Sequence, residues 1–216
     1  MSSREQILER VREALVDVAE HDPAADVEIA WAYGQPTPLD DVVARFDETV
    51  TEYRAAVVRC SADEVGDKIV KALAYFDVGL AVMPVGVPAL WRDTVEAAGI
   101  RAMDDAEPLT RDQLNETGAV VTAAALGIAE TGTIVLDHRP DQGRRALTLL
   151  PDVHVCVVRA DQVVSDVPEA VARLRASVEA GQPLTWISGP SATSDIELNR
   201  VEGVHGPRNL HVILVD

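Results

Sequence analysis

The sequence predicts an α/β fold: a mainly parallel sheet with helices on both faces, preceded by an N-terminal helical extension. Three observations carry this expectation. Short, continuously apolar runs alternate with helix-patterned stretches from about residue 55 to the last residues, the order expected of strand–helix–strand units. The runs are apolar on successive residues, as in strands buried on both faces. Before them lies an amphipathic stretch closed by a Pro- and Gly-marked linker.

In residues 5–18, Ile7, Leu8, Val11, Leu15 and Val18 share one face and Arg4, Arg10, Arg12 and Asp17 fall largely elsewhere, which is helical spacing. His21, Asp22 and Pro23 end this arm, and Gly34, Pro36 and Pro38 mark a linker; Pro and Gly break regular structure there. Residues 1–41 are therefore read as arm and linker, and 42–216 as the α/β domain. Helix is expected at 39–53, 63–76, 88–98, 110–116, 143–150 and 168–180. Pro88 sits at a first turn, Thr110 at an N-cap, and Gly99 and Gly181 just past C-termini, the usual punctuation of helices. Strands are expected at 55–60, 78–83, 100–103, 120–126, 133–137, 153–158, 184–187 and 210–215. In open parallel sheets ligands sit beyond the carboxyl ends of the strands.

The 216 residues suffice for one hydrophobic core. A formal charge of −17, with a pI near 4.6, repels phosphate backbones and anionic lipid, so nucleic acid and membrane surfaces are poor partners. The longest nearly apolar run, 119–129, is too short to span a bilayer, and the first residues lack a signal-peptide pattern. A cytoplasmic protein is expected. Cys60 and Cys156 lie far apart in apolar strand-like runs, so two buried free thiols are expected and no iron–sulfur cluster on this chain.

The densest chemistry lies at 186–197, where an apolar strand runs into Ser188, Gly189, Pro190, Ser191, Thr193, Ser194 and Asp195. Gly189 permits close backbone approach, and the hydroxyls and amides can hold an anion or carboxylate. Asp195 can orient a donor or act as a base. Equally, a hydroxyl here can cap a helix, with Asp195 complementing its dipole. Residues 130–133 place Glu130 beside Thr131, Gly132 and Thr133 between two apolar segments. That is a ligand contact or acid–base group if Glu130 is buried, and otherwise a tight turn with Gly132 at positive φ. His205 and Arg208 precede the last strand; they can shuttle protons and pair with a carboxylate, or belong to a surface loop with Arg208 paired to an acidic neighbour. Arg144 and Arg145 open a helix-like stretch and either reach an anion or lie on a solvated charged face. Phosphate-binding and dinucleotide-binding glycine motifs are absent, and His21, His138, His154, His205 and His211 show no metal-ligand spacing. His154 and His211 alternate with apolar residues and are read as structural or as exposed on one face.

Residues 127–136, Gly-Ile-Ala-Glu-Thr-Gly-Thr-Ile-Val-Leu, together with 188–197, Ser-Gly-Pro-Ser-Ala-Thr-Ser-Asp-Ile-Glu, and 203–207, Gly-Val-His-Gly-Pro, closely resemble the lactate-utilisation protein C family, the LUD-domain proteins. The likeness runs from about 42 to 215. It implies a fold of the sugar-phosphate isomerase and coenzyme A transferase-like group (NagB/RpiA/CoA transferase-like). It also implies one component of a system oxidising L-lactate to pyruvate, whose partner proteins carry the iron–sulfur clusters. Coenzyme A transferases use a glutamate in a Ser-Glu-Asn-Gly-like turn, and Ala129-Glu130-Thr131-Gly132 departs from it, so a pocket carries over and a reaction does not.

The expected function is thus a lactate-utilisation component binding a small hydroxy-acid or other anion at Glu130, Thr131, Gly132, Thr133, Ser188, Gly189, Ser191, Thr193, Asp195, His205 and Arg208. Glu130 and Asp195 are the catalytic candidates. The alternatives are a scaffolding subunit for iron–sulfur partners, also able to form a homo-oligomer, and an independent transferase or isomerase.

Overall fold

A computed structural model describes residues 2–17, 34–193, 201–202 and 206–216. The chain divides into two compact units, Met1–Gln35 and Pro36–Asp216. In the first, α1 (Ser3–Ala14) starts with a capping box in which the Ser2 hydroxyl accepts from the Glu5 backbone N–H and the Glu5 carboxylate accepts from the Ser2 N–H. Ile7, Leu8, Val11 and Leu15 are exposed; Val18 lies outside the described residues.

The second unit is built on six parallel strands in the order β1 (Ala56–Cys60), β12 (Asn209–Val215), β7 (Val153–Arg159), β4 (Ala119–Ala123), β2 (Leu80–Val82), β3 (Arg101–Met103). The mainly parallel sheet expected from the sequence is present. The strand order reverses between β2, which leads outward to β3, and β4, which leads inward to β7. β12 inserts between β1 and β7, which buries Val212, Ile213 and Leu214 in the core.

Because strand residues alternate sides, Val155, Val157, Ile213 and Val215 face one way and Cys156, Val158, Val212 and Leu214 the other. On the first face pack α3 (Val65–Tyr75) and α4 (Ala89–Ala97), through Ile69, Leu73 and Val95. On the second packs α2 (Val42–Glu52) through Phe46 and Val50, while Leu114 of α5 (Arg111–Glu116) packs on Val82 and Val120. Helices thus cover both sides. The caps lie where expected: the Thr110 hydroxyl accepts from the Gln113 N–H, and Gly99 and Gly181 take φ of +82° and +73° just after their helices.

The sequence did not anticipate a second sheet. Residues 120–137 form three strands, with β5 (Leu126–Ile128) and β6 (Thr133–Leu136) turning away as an antiparallel hairpin. With β8 (Val163–Val164) and β9 (Thr185–Ile187) they make a four-stranded sheet in the order β8-β5-β6-β9. Ile134 and Leu136 pack on the inner face of the parallel sheet. Leu126, Ile128 and Val135 pack on Ala170 and Leu174 of α6 (Val167–Glu179). Being buried on both faces, these strands look in sequence like parallel ones. Residues 143–150, expected as helix, form only a 3₁₀ turn at Arg145–Thr148.

Among the described residues no helix is long and apolar enough to cross a membrane. Cys60 and Cys156 are free and buried, and they belong to the cores on opposite faces of the parallel sheet.

Candidate functional site

The two loops singled out in the sequence do meet, by a route other than parallel strands. β6 and β9 pair antiparallel, Ile134 opposite Ile187, which sets Thr133 beside Ser188. Their hydroxyls are 2.8 Å apart, and Thr131 extends the chain with its hydroxyl 2.8 Å from that of Thr133. Gly189 follows at φ +82°, and a Cβ there would lie 2.7 Å from the Tyr53 carbonyl oxygen, so this sharp bend demands glycine.

The 130–133 segment is the hairpin turn. Gly132 has φ +58°, and its missing Cβ would approach the Thr49 carbonyl carbon and oxygen to 2.8 Å. The Thr49 hydroxyl donates to the Ala129 carbonyl at 2.7 Å. The Ala129 and Glu130 N–H groups donate to the carbonyls of Val164 and Ser165 at 2.8 and 3.0 Å. Glu130 itself is exposed, which leaves its carboxylate in water.

Beyond Ser188 a cleft of about 240 Å³ opens, lined by Arg145, Thr148, His154, Thr185, Trp186, Ile187, Ser188, Gly189, Pro190, Ser191, Gly206, Pro207 and Leu210. It lies near the amino ends of β7 and β12, where His154 and Leu210 are second in their strands. The sequence placed it beyond the carboxyl ends; the difference arises because Ser188 leaves β9, a strand of the small sheet. At the carboxyl ends, residues 140–141 close over β4: the Ala123 N–H donates to Asp141 O at 3.0 Å, and the Gly86 N–H to Pro140 O at 2.9 Å.

Arg145 sets the electrostatics of this cleft. Its guanidinium donates to the hydroxyl and carbonyl of Thr148 at 2.9 and 3.3 Å, and among the described residues no carboxylate lies within ion-pair distance. Burial of part of the side chain pushes its pKa below the ordinary arginine value. Arg144, its neighbour, is neutralised by Asp105 at 2.6 and 3.1 Å. The sequence could not tell these two arginines apart.

His154 is wholly buried beside the cleft, its Nε2 2.8 Å from the Thr122 hydroxyl, which lies 3.7 Å from Cys156 Sγ. Burial, and secondarily the Arg145 charge, depress its pKa to about 3, so the ring is neutral. Burial pushes Cys156 up to about 12, which makes it an unreactive thiol. His138 Nδ1 donates to the Gly143 carbonyl at 2.8 Å, and its Nε2 is 2.8 Å from the Thr185 hydroxyl.

Of the residues named from the sequence, Ser188, Gly189 and Ser191 line the cleft, and Thr131 and Thr133 join its edge through hydroxyls. Thr193 lies in β10 (Ala192–Thr193), paired antiparallel with β11 (Val201–Glu202). Asp195 and His205 lie outside the described residues. Arg208 is exposed and pairs with Asp152, Nε to Oδ1 at 2.9 Å, the surface-loop alternative, and it does not line the cleft. Sequence reasoning offered Arg145 only together with Arg144, as an anion contact or part of a charged face, and did not place His154 or Thr185 at the cleft.

A central parallel sheet, a second, smaller sheet packed on one of its faces and a hydroxyl-lined cleft beside Arg145 characterise this α/β protein. The chain belongs to the LUD domain family, whose profile matches residues 43–215. It is similar to Lactate utilization protein C of Deinococcus radiodurans, 49% identical over 185 residues, covering 85% of this chain and 84% of that one. It is also similar to Lactate utilization protein C of Geobacillus thermodenitrificans, 26% identical over 207 residues, 89% and 86% of the two chains. A crystal structure of a DUF162 family protein from D. radiodurans superposes with a TM-score of 0.71 at 44% identity, covering 83% of this chain and all of that one.

Proposed function

We propose that this chain is a component of an L-lactate utilisation system and binds a small 2-hydroxy or 2-keto carboxylate in the cleft beside Arg145. The observation that carries the site is a guanidinium without a carboxylate partner among the described residues, in a protein of net charge −17. An acidic chain has carboxylates in abundance to neutralise Arg145, as Asp105 neutralises Arg144, and leaving it open favours a carboxylate ligand. The hydroxyls of Thr148, Ser188 and Ser191 line the same cleft and suit a hydroxyl or keto oxygen. Relatives named lactate utilization protein C support lactate as that ligand.

In this reading the chain binds and orients the acid, and redox chemistry belongs to iron–sulfur partners. Cys60 and Cys156, on opposite faces of the sheet, cannot converge on one cluster. Glu130, exposed on its turn, gives no support to a transferase nucleophile.

The test is titration of the full chain with L-lactate and pyruvate, followed by calorimetry and by the fluorescence of Trp186 in the cleft wall. Arg145→Met should weaken binding by about ten- to a hundredfold, the worth of a charge-assisted contact, with thermal unfolding little changed. Binding of neither acid, or equal binding by the variant, would refute the assignment.

A further inference from the structure

Arg145 touches more than the cleft. It also lines a groove of about 460 Å³ whose walls include Pro84, Val85, Pro108, Pro140 and Pro183. Strand register explains how one side chain serves both spaces. Met103, Val82, Val120, His154 and Leu210 are successive cross-strand partners, so the carboxyl ends of the short β2 and β3 stand level with the second residues of β7 and β12. The groove therefore lies at the carboxyl ends of β2 and β3, beside the point where the strand order reverses, which is where open parallel sheets hold ligands.

We propose that the groove binds the apolar tail of a monocarboxylate whose head group sits on Arg145, so that the site accepts acids longer than lactate. The proposal rests on the assignment of Arg145 as the carboxylate anchor. Among the described residues three arginines line the groove, but Arg139 is held by Asp137 at 2.9 Å and Arg144 by Asp105 at 2.6 Å. One positive charge remains, which matches a monoanion and not a polyphosphate. Four prolines and the exposed side chain of Val85 give the walls rigid apolar surface for a tail, and the polar side chains beside them, His138, Arg139 and the Arg144–Asp105 pair, are already hydrogen-bonded within the protein. Small-molecule sites of about 300–1,000 Å³ take ligands of drug-like size; a three-carbon acid leaves most of this groove unfilled.

The experiment titrates the full chain with butanoate, hexanoate, octanoate and L-lactate, by calorimetry and Trp186 fluorescence. Each fully buried methylene is worth about fourfold in affinity, so octanoate should bind at least about tenfold tighter than butanoate and compete with L-lactate. Val85→Asp and Pro183→Asp, both at exposed positions, should abolish the preference for octanoate over butanoate, and Arg145→Met should weaken every acid. A flat series with L-lactate binding intact would overturn the groove and leave the small-acid site standing. A length-dependent gain that survives both aspartate variants would place the tail elsewhere and also overturn the proposal. Failure of all four acids and of pyruvate to bind would remove the anchor and both readings with it.

Discussion

Arg144 and Arg145 are adjacent in sequence and opposite in role. The first is bonded to both oxygens of Asp105 and to the Leu109 carbonyl, which makes it an internal strut; the second opens on the cleft. His154 is the other residue whose meaning depends on its surroundings. Its pKa in the fold, about 3, lies below the unfolded value near 6.5. The unfolded chain therefore gains a proton as pH falls through 6.5 while the folded chain does not. Its contribution is fully present above that pH and is lost on acidification toward 3, at up to about 1.4 kcal/mol per pH unit. Between pH 7 and pH 5 this one ring should cost about 2 kcal/mol. Urea denaturation at the two pH values checks it, with His154→Gln keeping an Nε2 donor for Thr122 and removing the titration. An equal acid loss in the variant would assign the loss to other groups.

At the level of elements, the β5–β6 hairpin joins α2 to the small sheet. Gly132 packs against the Thr49 backbone at positive φ, so Gly132→Ala meets both a conformational and a steric penalty. It should destabilise by about 2–4 kcal/mol in urea denaturation; a loss below about 0.5 kcal/mol would mean that the turn relaxes freely. α1 is the contrasting element. Its capped helix has no buried residue, and Ile7, Leu8, Val11 and Leu15 share an apolar face of the kind that the α/β domain, a second copy or a partner covers. Removal of residues 1–36 should lower solubility, self-association or partner affinity while far-UV circular dichroism still reports the α/β domain. Unchanged sedimentation, solubility and partner binding would show that the face is idle.

For the whole molecule, the consequential fact is that its two thiols lie on opposite sides of a continuous sheet. The full chain purified anaerobically should be colourless, with far less than one iron per chain by metal analysis; stoichiometric cluster iron would overturn the division of labour with partner proteins. Complementation of growth on L-lactate in a strain lacking this component should fail with a stably folded Arg145→Met. Full complementation would favour a scaffolding role over ligand binding.

Local chemistry is what the sequence by itself determined. Pro88, Gly99, Thr110 and Gly181 punctuate their helices because caps and positive φ are decided within a few residues. The alternation of apolar runs with helices sufficed for a parallel sheet, and the three motif stretches sufficed for the family. Pairing was beyond its reach. Leu126–Ile128 and Thr133–Leu136 are as apolar as the parallel strands, and a strand buried on both faces carries no mark of its partner's direction. Only the tertiary structure decided that they form a second, antiparallel sheet, that Asn209–Val215 enters between β1 and β7, and that Arg145 rather than Arg144 borders the cleft. Each of these depends on contacts between residues far apart in the chain, whereas residue type and spacing encode only the neighbourhood of a turn or two.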